Sequence, residues 1–175
     1  RINAQTITEA TLLATLSGEN LDFDLAINLP EGIAHLIGTA QPFESVPSYI
    51  ISAARFEHID LGALLDNPSL RSDLTGMGSL RGRGFSLGEL TLSGRFNLAP
   101  SRINEQSITG ADLALDINDG QLNFNTRLSL PEGRAQLVGT ADLLATVTTY
   151  QIQEGSFQNI NIGDFLGDPN LQTNL

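Results

Sequence analysis

Few residues in this chain could do acid–base or metal chemistry. His35 and His58 are its only histidines, and it has no cysteine. Asp22, Asp24, Asp60 and Asp73 stand out among its twenty acidic side chains. A general base needs an imidazole or a carboxylate, and a calcium site needs several charged oxygens. Each candidate has a counterpart, because the chain repeats itself. Positions 1–74 align with 102–175 at a constant offset of 101 without a gap, and about 29 of the 74 pairs are identical. His35 and His58 align with Gln136 and Asn159, and the four aspartates with Asn123, Asn125, Asn161 and Asn174. An amide keeps the hydrogen bonding and loses the charge. The exchange reads these residues as surface polar groups, short of a site confined to one copy.

The remaining motifs fare no better. Asp116 to Gly120 superficially resembles a calcium loop, but it puts glycine where a ligand belongs and has no closing Glu, so it reads as a hairpin. Gly76, Gly78, Gly82 and Gly84, with Arg81 and Arg83, would need a strand-to-helix junction to cradle phosphate. Alternating residues flank them, so they read as glycines that let strands bend. Ser86, Ser93 and Ser101 have no adjacent His or Lys to activate them. The expectation is a non-enzyme with no catalytic residue, no metal site and no cofactor.

The elements around these residues carry more information. The copies read RINAQTIT and RINEQSIT, LPEGIAHLIGTA and LPEGRAQLVGTA, then FEHIDLGALLDNPSL and FQNINIGDFLGDPNL. A repeat of this kind implies stacked copies of one unit. The constant offset implies turns of equal length and matched strand register, since a slip of one residue turns every side chain to the opposite face. The expected organisation is a complete repeat at 1–101 and a truncated one at 102–175, both within one elongated β-domain of a larger protein. Arg1 opens the chain without Met and Leu175 ends it in mid-pattern, in keeping with an excised piece.

Period-two alternation marks the strands. Leu21, Phe23, Leu25, Ile27 and Leu29 alternate with Asp22, Asp24, Ala26 and Asn28. Leu90, Leu92, Phe96 and Leu98 alternate with Thr91, Ser93, Arg95 and Asn97. Leu113, Leu115 and Ile117 follow Ala111 in the same way, and so do Leu122, Phe124, Leu128 and Leu130 further on. One apolar and one wet face is the habit of antiparallel sheets. Asp119-Gly120 and Gly18-Glu19 read as tight hairpin turns. Pro30-Glu31-Gly32 and Pro131-Glu132-Gly133 read as turns with glycine at a positive-φ position. Asp60–Leu65 and Asn161–Leu166 break the alternation and read as one short helix per copy, capped by Asp60 and Asn161.

Composition narrows the partners. The net charge is −11, all nine basic residues are Arg, and no apolar run reaches the ~18 residues of a membrane span. Nucleic acid and anionic headgroups both demand basic patches, so neither is an expected partner.

The succession of an alternating run, LPEG, GTA, a Tyr-containing strand, F..I.., a short Leu-rich helix, NPSLRSDLTG and L.G.G resembles the AsmA-like superfamily, most closely the repeat region of TamB-like translocation and assembly proteins. The resemblance spans essentially the whole chain. It implies a long, curved antiparallel half-pipe, a β-taco, with an apolar interior. It also implies a periplasmic protein anchored in the inner membrane, conducting phospholipid toward the outer membrane and supporting outer-membrane biogenesis with a barrel partner. The family offers no catalytic residues. Its working part is the lining, and the expected contacts with phospholipid acyl chains are the alternating Leu, Ile and Phe positions named above. The rival reading is a structural or adhesin-like β-sandwich repeat with a closed core, because alternation cannot tell a face that meets a second sheet from one that meets lipid.

Overall fold

The computed structural model describes residues 7–64, 71–104, 106–145 and 149–160. The alternating segments pair with their chain neighbours, because short turns return each strand beside the last. The strands are β1 (Glu9–Ser17), β2 (Asn20–Asn28), β3 (Ile33–Gln41), β4 (Ser48–Ile59), β5 (Ser72–Arg83) and β6 (Thr91–Leu98). After a small hairpin of β7 (Ser101–Ile103) and β8 (Gln106–Ile108) come β9 (Gly110–Asn118), β10 (Gln121–Ser129), β11 (Arg134–Asp142) and β12 (Thr149–Gln158). All pairs are antiparallel, and the main path runs β1-β2-β3-β4-β5-β6-β9-β10-β11-β12 in one open sheet. Hairpin β7–β8 folds back on the start of β5, where Ser72 pairs Ile103. Its Asn104 accepts a hydrogen bond from Arg71 N–H (3.1 Å) and donates its own N–H to Arg71 O (2.8 Å). This places Arg102, Ile103 and Asn104 of the second RIN segment beside the start of β5.

The pairing of β1 to β4 recurs in β9 to β12 at an offset of 101: Leu21 faces Ala40 as Leu122 faces Ala141. Irregularities recur too. Ser52 is an extra residue in β4 between the Ala53–Ile37 and Ile51–Gly38 pairs, and Gln153 is extra in β12 between the Glu154–Val138 and Ile152–Gly139 pairs. Such bulges bend a strand and sharpen its twist. Ser52 Oγ donates to Ile37 O (3.1 Å), satisfying a carbonyl at the irregularity.

The turns are partly as expected. Asp119 (φ 48°) and Gly120 (φ 74°) both lie in the left-handed region, as a type I′ turn demands. Gly18 (φ 65°) precedes Glu19, which is not left-handed, the pattern of type II′. Gly32 and Gly133 do not have positive φ, contrary to the sequence expectation. Glycine is needed there because the backbone at the ends of β4 and β12 crowds it: a Cβ on Gly32 would sit 2.5 Å from His58 O, and one on Gly133 2.5 Å from Gln158 O. The left-handed residues are instead His58 (φ 56°) and Asn159 (φ 53°). The helix α1 (Leu61–Leu64) forms where expected. Asp60 caps it, its Oδ1 accepting from Gly62 N–H (2.8 Å) and from Ser72 N–H (3.0 Å). The matching segment Asn161–Leu166 lies outside the described residues.

A single sheet layer leaves little interior. Among the described residues the buried apolar side chains are Ala54, Ile59, Leu74, Ile108, Ala111, Ala135, Ala141 and Ile160, half of them alanine. The chain exposes 11164 Å². A compact monomer of its mass would expose roughly 8,300 Å². The difference is consistent with a sheet lacking a second layer.

Candidate functional site: the apolar sheet face

Residues directly opposite in an antiparallel pair point to the same face, so the registers assign every strand side chain to a face. Leu21, Phe23, Leu25 and Ile27 on β2 share one face with Leu12 and Leu16 on β1 and Leu36 on β3. That face continues through Tyr49, Ile51 and Phe56 on β4, Leu80 on β5, and Leu92, Phe96 and Leu98 on β6. It passes from the first copy to the second without a break, because Leu92 pairs Ile117 and Phe96 pairs Leu113. Leu115, Leu122, Phe124, Leu128 and Leu137 extend it to β11, and Tyr150, Ile152 and Phe157 to β12. Thirteen of the sixteen expected lining residues are strand residues on this face. Leu29, Leu90 and Leu130 sit just past strand ends.

No described strand residue on this face is charged. Where the ten strands of the main path pair with one another, its described polar side chains are Thr126, Tyr49 and Tyr150. The inner strands are half-buried by their neighbours, while β1 and β12 at the sheet edges are exposed. Ten strands at ~4.8 Å spacing make the face about 43 Å across. Glycines let the rings lie flat on it. A Cβ on Gly82 would meet the Tyr49 ring at 2.5 Å, and one on Gly139 the Phe124 ring at 2.7 Å. Tyr49 also stacks on Phe85, with centroids 5.5 Å apart and planes at 7°. Burial raises the Tyr49 phenol above its ordinary pKa of 10.0.

Sequence reasoning missed the contributions of β1, β3, β4, β5, β11 and β12. On β3, β5 and β11 alanine and glycine occupy most of the positions on this face, which hides the alternation. On β4 and β12 the bulges shift its phase. The available signal was the tyrosine and phenylalanine shared by the two copies, Tyr49/Tyr150 and Phe56/Phe157.

The opposite face is charged but not uniformly polar. It carries Asp22, Asp24, Arg55, Arg95, Asp112 and Arg127, and also the exposed Leu13, Ile33, Ile37, Ile50 and Met77. A depression of 860 Å³ opens on it, lined by His35, Arg55, Met77, Arg95, Asp112 and Arg127 among others. A twisted sheet is saddle-shaped, so each face is concave along one diagonal. His35 Nε2 lies 2.6 Å from Asp24 Oδ1, and His58 Nδ1 lies 2.8 Å from Asp73 Oδ1; both pairs are exposed. Among the described residues no three metal-ligating side chains converge, and no helix is long and apolar enough to cross a membrane. Gly84 (φ 74°) opens a turn into β6, not a helix, so the glycine run forms no helix-terminal phosphate cradle.

Comparison with protein-family models, with curated proteins and with solved structures returns no match.

Proposed function

We propose that this chain is a segment of a lipid-conducting groove, a curved half-pipe built of tandem 101-residue repeats that shields acyl chains between two membranes. The observation that carries the reading is the uncharged apolar face, continuous across both copies and without a second sheet over it among the described residues. Moving an acyl chain into water costs ~0.8 kcal/mol per methylene, or roughly 12 kcal/mol for sixteen carbons. A trough makes each step nearly neutral if its floor holds no charge and no tight pocket. Matched register supplies the continuity, and the charged opposite face keeps the sheet soluble.

The resemblance of the repeat motifs to TamB-like proteins supports a groove that works in the periplasm, in a parent anchored to the inner membrane, with phospholipid as cargo and an outer-membrane barrel as partner. The alternative, a closed-core adhesin-like module, would need a covering layer over the face that holds Phe124.

The test is native mass spectrometry of the protein purified from bacterial periplasm, beside Phe124→Asp and the opposite-face control Asn123→Asp. The expected result is phospholipid on the wild type and on Asn123→Asp, and none on Phe124→Asp with circular dichroism unchanged. Lipid transfer between vesicles should follow the same order. A folded wild type that carries no lipid and transfers none would overturn the reading.

A further inference from the structure

Three of the nine arginines stand around one depression on the charged face, the 860 Å³ hollow lined by Arg55 on β4, Arg95 on β6 and Arg127 on β10. The registers fix their spacing. Arg55 and Arg127 lie in one cross-strand row, Arg55–Met77–Asn97–Asp112–Arg127, four strands and about 19 Å apart at the usual strand spacing. Arg95 stands two residues before Asn97 on β6, about 12 Å from each of the others. Among the described residues Asp112 is the one carboxylate that lines the hollow, and it is already engaged. Asn97 Nδ2 donates to Asp112 Oδ1 (2.8 Å), although Arg127 is directly opposite Asp112. None of the three guanidinium groups makes an ion pair or a hydrogen bond among the described residues. In a chain of twenty carboxylates against nine arginines, the hollow reverses the local charge. Neither copy builds it alone, because the residue equivalent to Arg55 is Ser156 and that equivalent to Arg127 is Ala26. The cluster arises where β4 to β6 of the first copy meet β9 and β10 of the second.

We infer that this depression binds a small polyanion carrying two or more phosphate groups no more than about 12 Å apart. Guanidinium is charged at any accessible pH and presents a planar fork of donors that matches phosphate oxygens in pairs. Ser79, directly opposite Arg95, and Asn125, one strand beyond it past Ala114, add a hydroxyl and an amide on either side. A phosphate has three strong acceptor oxygens, enough to take the Arg95 fork and the Ser79 hydroxyl together. The volume falls within the roughly 300–1,000 Å³ of small-molecule sites. The net charge of −11 repels a long polyanion such as nucleic acid before it reaches so local a patch. The inference does not depend on what the apolar face carries.

The experiment is calorimetric titration of the whole chain with inositol hexakisphosphate at low salt, with inorganic phosphate as the single-group control. Saturable one-to-one binding is expected, much tighter than that of inorganic phosphate and weakened by added salt. Arg95→Gln, and the exchanges for the other copy's residues Arg55→Ser and Arg127→Ala, should each weaken it about tenfold, with circular dichroism unchanged. Asp112→Asn keeps an acceptor for Asn97 and removes the repelling charge, so it should tighten binding. Arg71→Gln removes the same charge outside the hollow, again for the other copy's residue, and should leave binding unchanged. Co-sedimentation with phosphatidylcholine vesicles, with and without phosphatidic acid, separates the sources. Sedimentation that needs phosphatidic acid and is lost in Arg95→Gln assigns the anion to a lipid headgroup, binding of the soluble probe alone assigns it to a free ligand, and both uphold the site. Binding of neither probe, or a loss in Arg71→Gln equal to that in Arg95→Gln, would overturn the inference. Lipid loading of the Phe124→Asp variant reads the other face, so failure here and failure of the groove reading are distinguishable.

Discussion

His35 on β3 and Asp24 on β2 form a charge-capable pair, Nε2 to Oδ1 at 2.6 Å, and the two positions 101 residues further on hold Gln136 and Asn125. His58 and Asp73 pair likewise, against Asn159 and Asn174. Partners in space have exchanged together, which marks both pairs as cross-strand clasps on a sheet surface. The side chains of His35 and Asp24 are both 46% exposed, so solvent screens them. Exposed pairs contribute about 0.2–1 kcal/mol. His35→Gln and Asp24→Asn should each lower the urea midpoint slightly. The double variant should lose less than the sum, with a coupling in that range. A coupling of zero in denaturation curves would show that the contact contributes nothing.

Gly32 tests the crowding of the LPEG turn. Its absent Cβ would press on the carbonyl oxygens of His58 and Glu57, which are backbone and cannot rotate away. Gly32→Ala should destabilise by about 2 kcal/mol or more, as buried steric conflicts do. Gly88 has nothing within 4 Å and no positive φ. Gly88→Ala should change the urea midpoint by no more than about 0.5 kcal/mol equivalent.

His58 and Asn159 share a left-handed backbone, and that constraint explains which residues exchange there. His and Asn are among the residues enriched in this region, and β-branched residues are not. His58→Asn should be tolerated in thermal unfolding. His58→Val should cost about 1–2 kcal/mol through the backbone.

Tyr49 gives a pH signature. Desolvation raises its phenol, so the folded chain holds the proton more tightly than the unfolded chain. In the interval above the ordinary value of 10.0 the native state binds more protons, and stability falls as pH rises. Below that value its contribution is fully present. Tyr49→Phe should flatten the alkaline fall in the thermal midpoint above about pH 10. An unchanged slope would show that another group governs it.

The floor of the face should tolerate size changes better than charge. Leu115→Ala on a half-buried sheet face should cost less than the 2–5 kcal/mol of a closed core. A loss within that range, measured by urea unfolding, would point to a covering layer and favour the sandwich reading.

Much of the architecture could be read from residue order. Alternation at 21–29, 90–98, 111–117 and 122–130 placed β2, β6, β9 and β10 within a residue or two, because a period of two survives in any one-sided sheet. The I′ turn at Asp119-Gly120 and the Asp60 cap were legible for a similar reason: each is a local requirement of a few dihedrals and one hydrogen bond. The repeat at an offset of 101 was visible as identity. Tertiary structure decided the rest. Only pairing could show that Tyr49, Phe56, Tyr150 and Phe157 belong to the same face as Leu21 and Phe124, since bulges in β4 and β12 break the phase that a linear pattern relies on. Only proximity could show that Gly32 is glycine because of the His58 carbonyl, and that His35 answers Asp24. A face with no charge follows from the composition of single strands, whereas an open face follows from what the strands leave uncovered, and that depends on contacts between residues far apart in the chain.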